Sequence, residues 1–288
     1  MASLTNPDYL LSLCKKFGLT PSKKYGQNYL LDPEVITTLL EAGEVTKNDT
    51  IVEVGSGFGV LTLPLAERAG KVISFEIEKK LAPYWQELIK KRTVNNLEIR
   101  WGNVLRSFDA LQISSSYKVL ANLPYQITSA VIRLFLEAPS KPEVIVCMVQ
   151  KEVAERICAK PGNLSVLALS VQYYAIPKLV AVVPRSSFWP SPAVDSAVIC
   201  LRPHREKPND VFTALFFRLI KRGFAQKRKL LFKNLLPYAP KQRAKELAEC
   251  LAEVGISPTA RAQEVSLEHW KKLAVCLLER NIFTSPTK

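Results

Sequence analysis

Histidine is scarce in this 288-residue chain: only His204 and His269 occur, and neither has partners at ligand spacing. A metal site or a serine-type triad is therefore not expected. The six cysteines, at 14, 147, 158, 200, 250 and 276, include no C-x-x-C pair. They read as reduced, mostly buried residues of a cytoplasmic protein rather than a disulfide or zinc framework. Long apolar runs are missing as well. The longest, Leu164 to Val183, is broken by Gln172, Pro177 and Lys178, so no membrane span is expected. Asp8 and Lys15-Lys16 interrupt what would be the apolar core of a signal peptide, and the first arginine is Arg68, against an arginine-rich transit peptide. No repeat or low-complexity tract occurs. Acidic residues are outnumbered 26 to 40 by Lys and Arg, a formal charge of +14. An excess this large points to a polyanionic partner, most simply nucleic acid.

What is present is enough chain for one large domain and one small one. Periodicity predicts helices over 6–17, 33–41, 60–67, 81–91, 129–137 and 164–174, with another from Lys151. Asp32-Pro33 supplies an N-cap and an N1 proline for the second of these. Strands are predicted over 51–54, 71–77, 97–101, 117–121, 143–149, 178–183 and 195–201. Strands alternating with helices imply an α/β fold, an open and mostly parallel sheet with its crevice at the strand C-termini. A polar, proline-bearing stretch from Pro203 to Pro208 ends the strands, and every later segment is helical. The expected domains are 1–204 and a small all-helical 205–288.

The stretch Ile51 to Glu78 organises the first domain. A β-branched strand ends in Gly55-Ser56-Gly57-Phe58-Gly59, a helix follows, and a second strand closes on Glu76. Strand, glycine turn, helix, strand and acid is the layout of a nucleotide-binding βαβ unit. Its glycines bring the backbone close to a ligand, and the acid about 20 residues on accepts hydrogen bonds from ribose hydroxyls. A dinucleotide fingerprint would put its third glycine at position 60, where this chain has Val60. The spacing Glu53-x-Gly55-x-Gly57-x-Gly59 instead resembles motif I of class I S-adenosylmethionine-dependent methyltransferases.

Asn122-Leu123-Pro124-Tyr125 follows the fourth strand of the alternation. An exocyclic adenine amine is a poor nucleophile because its lone pair is delocalised into the ring. A side-chain amide oxygen beside a backbone carbonyl provides two acceptors for its N–H groups, and proline fixes φ so that they stay aimed. The aromatic that follows can stack on an extruded base. The plainer alternative is an Asn-capped proline turn.

Further motifs extend the likeness along nearly the whole chain. Lys24-Tyr25-Gly26-Gln27-Asn28-Tyr29-Leu30 is similar to K-x-G-Q-N-F-L, and Gln150-Lys151-Glu152-Val153-Ala154 to Q-K-E-V-A. Phe188-x-Pro190-x-Pro192-x-Val194-Asp195-Ser196 is similar to F-x-P-x-P-x-V-D-S, and Arg222-x-Phe224-x-Gln226-x-Arg228-Lys229 to a basic signature in a helical domain. Together these resemble the ribosomal RNA adenine dimethyltransferase family of the KsgA type. The resemblance implies a class I methyltransferase, Rossmann-like fold and S-adenosyl-L-methionine as cofactor. It implies N6,N6-dimethylation of two adjacent adenosines near the 3′ end of small-subunit rRNA, with a role in subunit biogenesis. By the same likeness Asn28, Leu30, Gly55, Gly57, Glu76, Asn103 and Asn122 hold the cofactor, while Asn122, Leu123, Pro124, Tyr125 and Phe188 are catalytic, Phe188 facing the target base. The family usually has Gly-Asp where this chain has Gly102-Asn103, and its aspartate receives the cofactor's adenine amine. The segment between Arg156 and Leu164 is also shorter here.

The run from Arg218 to Lys233 holds seven Lys or Arg and no acid. A solvated helix face is the ordinary reading of such a run. In a strongly basic chain with an adenine-methylation pattern, phosphate contact is the better one. Lys23, Lys24, Arg222, Lys227, Arg228 and Lys229 are the RNA-binding candidates. The expected partner is small-subunit rRNA within an immature ribosomal subunit, engaged by a cytoplasmic monomer with no membrane contact. Two alternatives stay open: a macrolide-resistance-type methyltransferase of large-subunit rRNA, and a non-catalytic assembly or transcription factor on the same fold.

Overall fold

A computed structural model describes residues 4–20, 28–91, 94–108, 116–205 and 209–282. In chain order its helices are α1 (Pro7–Lys16), α2 (Pro33–Ala42), α3 (Thr62–Arg68), α4 (Ala82–Lys90), α5 (Val104–Ser107), α6 (Thr128–Glu137), α7 (Lys151–Ile157), α8 (Val166–Tyr174), α9 (Asp210–Gly223), α10 (Leu231–Leu235), α11 (Ala244–Glu253) and α12 (Leu267–Glu279). The strands are β1 (Tyr29–Leu30), β2 (Thr50–Val54), β3 (Lys71–Glu76), β4 (Leu97–Trp101), β5 (Lys118–Asn122), β6 (Ile145–Gln150), β7 (Ala175–Val183), β8 (Phe188–Trp189) and β9 (Ser196–Pro203).

Continuous apolar runs such as Ile145 to Val149 can only be buried on both faces, and they form the middle of a seven-stranded sheet ordered β4-β3-β2-β5-β6-β9-β7. Neighbours from β4 to β6 are parallel. β9 runs antiparallel to both β6 and β7. The mixed α/β, mostly parallel architecture is the expected one, with β9 alone reversed against the rest. At the β4 edge the apolar pattern gives way to Glu98 and Arg100, which pair with each other while Glu98 also meets Lys71. Such charges blunt an exposed edge. α2 begins as its sequence predicts: the Asp32 side chain accepts from the Glu34 N–H at 3.0 Å, with Pro33 in the first turn.

The chain divides into two compact units, Met1–Ala154 with Ala175–Pro203, and Glu155–Tyr174 with His204–Lys288. The sheet belongs to the first. The second takes up α8 as well as everything after the last strand, so the chain passes into it twice rather than once. Its core is built on Phe216, Leu219, Ile220, Trp270, Leu273 and Leu277. Gly223 makes the α9–α12 contact possible, because a Cβ there would sit 2.3 Å from the Trp270 ring. Cys250 and Cys276 are joined as a disulfide between α11 and α12, which corrects the expectation of six reduced cysteines; Cys14, Cys147, Cys158 and Cys200 keep their thiols. The two partners stand 26 residues apart, a spacing that carries no signature in a sequence. Among the described residues no helix is long and apolar enough to cross a membrane.

Candidate active site

β3 and β4 lie on one side of β2, while β5 and β6 lie on the other. The chain order therefore reverses between β2 and β5, where loops leaving the strand ends diverge and open a crevice. A pocket of about 210 Å³ occupies this position. Each neighbouring strand delivers a residue the sequence singles out: β2 leads into Gly55, β3 ends on Glu76, β4 leads into Gly102-Asn103 and β5 ends on Asn122. Asn28, Leu30, Gly55, Gly57, Glu76, Asn103, Asn122, Leu123, Pro124 and Tyr125 all line it.

The glycine turn is held in backbone conformations that side chains rarely adopt, with φ of 88° at Gly55, 50° at Gly57 and 93° at Gly59. At Gly55 an added Cβ would meet nothing nearer than the Asn122 carbonyl oxygen at 4.0 Å, so its backbone faces open space. At Gly59 the same atom would come within 2.9 Å of Trp85, so this third glycine serves packing. Glu76 ties the turn to the strand beside it. Its Oε2 accepts from the Gly57 N–H at 2.8 Å and from the Ser56 hydroxyl at 3.3 Å, and Oε1 accepts from the Glu78 N–H at 2.8 Å. Burial pushes the Glu76 carboxyl up from its usual range, against the pull of these backbone donors. Glu53, one strand over, is pushed up to about 8 by complete burial. Ser74 donates to its Oε2 at 2.6 Å, while Oε1 has no hydrogen-bond partner among the described residues.

Asn122 turns its amide Nδ2 to the Asn28 carbonyl at 3.5 Å, which leaves Oδ1 as the acceptor end. The Pro124 carbonyl points back into the chain, accepting from the Ile127 N–H at 3.1 Å and the Thr128 hydroxyl at 3.3 Å. Asn103 caps α5, its Oδ1 accepting from the Leu105 N–H at 3.0 Å. Tyr125 is half-buried, and its hydroxyl meets the Ser196 hydroxyl at 2.7 Å.

Phe188 is the catalytic candidate that the pocket does not include. It pairs with Leu30 across the short β1–β8 ladder and is 4% exposed, in a cluster with Leu30, Val35, Ile36, Met148, Val183 and Val198. Its ring is apolar with no hydrogen-bonding end to hold outward, and the aliphatic side chains around it remove it from water. Ile77, Val104 and Ile127, which no sequence motif singles out, also line the pocket. Their signal was adjacency, since the first two directly follow Glu76 and Asn103. Among the described residues no cluster of His, Cys, Asp or Glu could hold a metal ion.

Arg222, Lys227, Arg228 and Lys229 belong to the other unit. Arg222 closes α9 and lies over the Tyr238 ring, 3.9 Å from its centroid. Lys227, Arg228 and Lys229 are exposed on the turn between α9 and α10. The buried Asn234 side chain fixes that turn, donating to the Gly223 and Gln226 carbonyls at 2.7 and 3.0 Å. Lys23 and Lys24 lie outside the described residues.

Residues 19–277 match the family described as "Ribosomal RNA adenine dimethylase". The chain belongs to that family. Among its relatives, the ribosomal RNA small subunit methyltransferase A of Dehalococcoides mccartyi strain 195 is 40% identical over 266 residues, 91% of this chain and 90% of the relative. The protein of the same name from Latilactobacillus sakei is 35% identical over 98% of each chain. The crystal structure of a dimethyladenosine transferase from Plasmodium falciparum shares the fold, with a TM-score of 0.74 at 24% identity over 88% of this chain and 98% of that one. That of the 23S rRNA methyltransferase ErmE follows with a TM-score of 0.71 at 28% identity, covering 86% and 98%. The fold of this adenine dimethylase family member is thus the Rossmann-like one of class I methyltransferases.

Proposed function

We propose that the protein uses S-adenosyl-L-methionine to dimethylate N6 of two adjacent adenosines near the 3′ end of 16S rRNA. It acts as a cytoplasmic monomer on an immature small subunit, so that modification accompanies subunit biogenesis. The first unit is the methyltransferase and the helical one grips RNA. The observation that carries this reading is the sharing of one pocket by the glycine turn and the Asn122–Tyr125 turn, at the point where the sheet order reverses. Relatives named for the small subunit, at 34–40% identity over most of the chain, favour that target over the large subunit named for ErmE.

The residues present fit the cofactor. The open face of Gly55 admits a ligand against the backbone, Glu76 offers carboxylate acceptors suited to ribose hydroxyls, and Ile77, Val104 and Ile127 give apolar surface for a base. When bound, S-adenosyl-L-methionine supplies an electrophilic methyl group. The chain's own work is on the amine. Asn122 Oδ1 accepts one N–H, and because the Pro124 carbonyl is already engaged, the Leu123 carbonyl takes the other. Both acceptors draw the nitrogen lone pair out of the ring. Tyr125 stacks on the extruded base, and Lys227, Arg228 and Lys229 contact phosphates.

The test is labelled methyl transfer onto small and large subunits that lack the modification, mapped by nuclease digestion. Label in two adjacent adenosines near the 3′ end of 16S rRNA is expected. Label in 23S rRNA would assign the chain to the other target. Asn122→Ala should lower turnover by roughly a hundredfold or more while calorimetric cofactor binding is retained. Near-normal turnover would remove Asn122 from the chemistry.

A further inference from the structure

Ser196 is fully buried at the head of a strand whose next five residues, Ala197 to Leu201, are buried and apolar. A hydroxyl there contributes nothing to the apolar core, and hydroxyls taken out of water need a partner. Its partner is Tyr125, whose Oη lies 2.7 Å from Ser196 Oγ. Ser196 itself has little freedom to move. It faces Gln150 on β6 and Val183 on β7, held in ladders on both sides. The adjoining Asp195 is fixed too, its carbonyl accepting from the Lys151 N–H at 3.0 Å and its carboxylate from the Arg185 N–H at 3.0 Å.

Tyr125 is therefore held at both ends. Its backbone sits in the turn that Pro124 sets, and its hydroxyl is tethered to a serine locked in the sheet. A ring fixed only at Cα can swing about χ1, whereas one whose Oη is also tethered keeps its long axis in place. Burial pushes the phenol up and keeps it protonated, so it remains able to donate, against a smaller opposing pull from Ser196. We infer that Ser196 is a positioning residue, which sets the Tyr125 ring as a ready-made platform for the target base. The inference rests on the reading of Tyr125 as the stacking residue. It also explains why an aromatic in this turn carries a hydroxyl, which stacking alone does not need.

The experiment is a double-mutant cycle of Ser196→Ala and Tyr125→Phe, assayed on whichever rRNA the wild-type protein methylates. Each single variant should lose roughly 3- to 10-fold in kcat, the range set by one hydrogen bond. KM for the rRNA and the Kd of S-adenosyl-L-methionine should be unchanged, and the double variant should be no slower than either single one. RNA carrying 2-aminopurine at the target position should fluoresce more strongly with both variants than with wild type, as stacking quenches it. Additive losses, or kcat unchanged while only the melting temperature falls, would overturn the inference. If Tyr125→Ala also leaves methyl transfer intact, the stacking role itself is lost. Absence of wild-type transfer to any rRNA would instead refute the function proposed above.

Discussion

Phe188 separates two accounts of the target-base pocket, and its truncation distinguishes them. If Phe188 and Tyr125 sandwiched one adenine, removing the ring would cost activity and little stability. The structure places the ring at 4% exposure among aliphatic side chains, paired through its strand with Leu30. Truncation to alanine there loses the transfer free energy of the ring and leaves a cavity, a cost of about 3–5 kcal/mol. At about 2–4 °C per kcal/mol for a unit of this size, the melting temperature should fall by on the order of 10 °C. Circular dichroism melts give the stability, and kcat measured well below both melting points gives activity per folded molecule, expected to stay within a few-fold of wild type. Phe188→Leu sharpens the contrast, because it keeps most of the apolar volume but no π-face. Core packing predicts near-normal melting and near-normal activity for it. Base stacking is worth about 1–3 kcal/mol, so a Phe188→Leu protein with unchanged melting and a more than tenfold loss of kcat would refute the core assignment.

Asn103→Asp should tighten S-adenosyl-L-methionine binding by about 1 kcal/mol, roughly fivefold in Kd, because a charged acceptor makes the stronger hydrogen bond. Asn and Asp cap helices equally well, so the α5 cap survives the change and calorimetry reads the ligand alone; weaker or unchanged binding would mean that this residue does not meet the cofactor. Neutralising Lys227, Arg228 and Lys229 together should weaken RNA binding and flatten its log–log salt dependence by about 0.7–0.9 per lost phosphate contact. Cofactor affinity should not move, and an unaltered slope would return these residues to a merely solvated surface.

Much of the first unit is legible because its local chemistry admits few alternatives. Three glycines at positive φ can only be a turn, and a β-branched run that ends on them can only be a strand entering that turn. Strand direction is less legible. A doubly buried strand reads the same in either orientation, so the reversal of β9 follows only from how the chain returns to the sheet. α8 is apolar on nearly every side, which marks it as buried without saying in which core. Only the structure assigns it to the helical unit. The Cys250–Cys276 link depends on how α11 and α12 meet, which the spacing along the chain does not encode.

The site is legible to a different depth. Each motif follows a strand end, so knowing that the sheet is parallel is enough to bring Gly55, Glu76, Asn103 and Asn122 to one edge. The direction in which a loop aromatic points is a separate matter, and Phe188 and Trp189 show why. They form a two-residue strand, in which successive side chains take opposite faces. With Phe188 directed into the aliphatic cluster, Trp189 is left on the other side, where its ring stacks on Tyr29 at 6.3 Å and 17°. Tyr29 lines the pocket and Phe188 does not. A shift of one residue in the pairing of β1 with β8 would exchange the two aromatics. Which of the two rings meets Tyr29 is therefore set by register, and the motif's spacing from the next strand leaves that register unspecified.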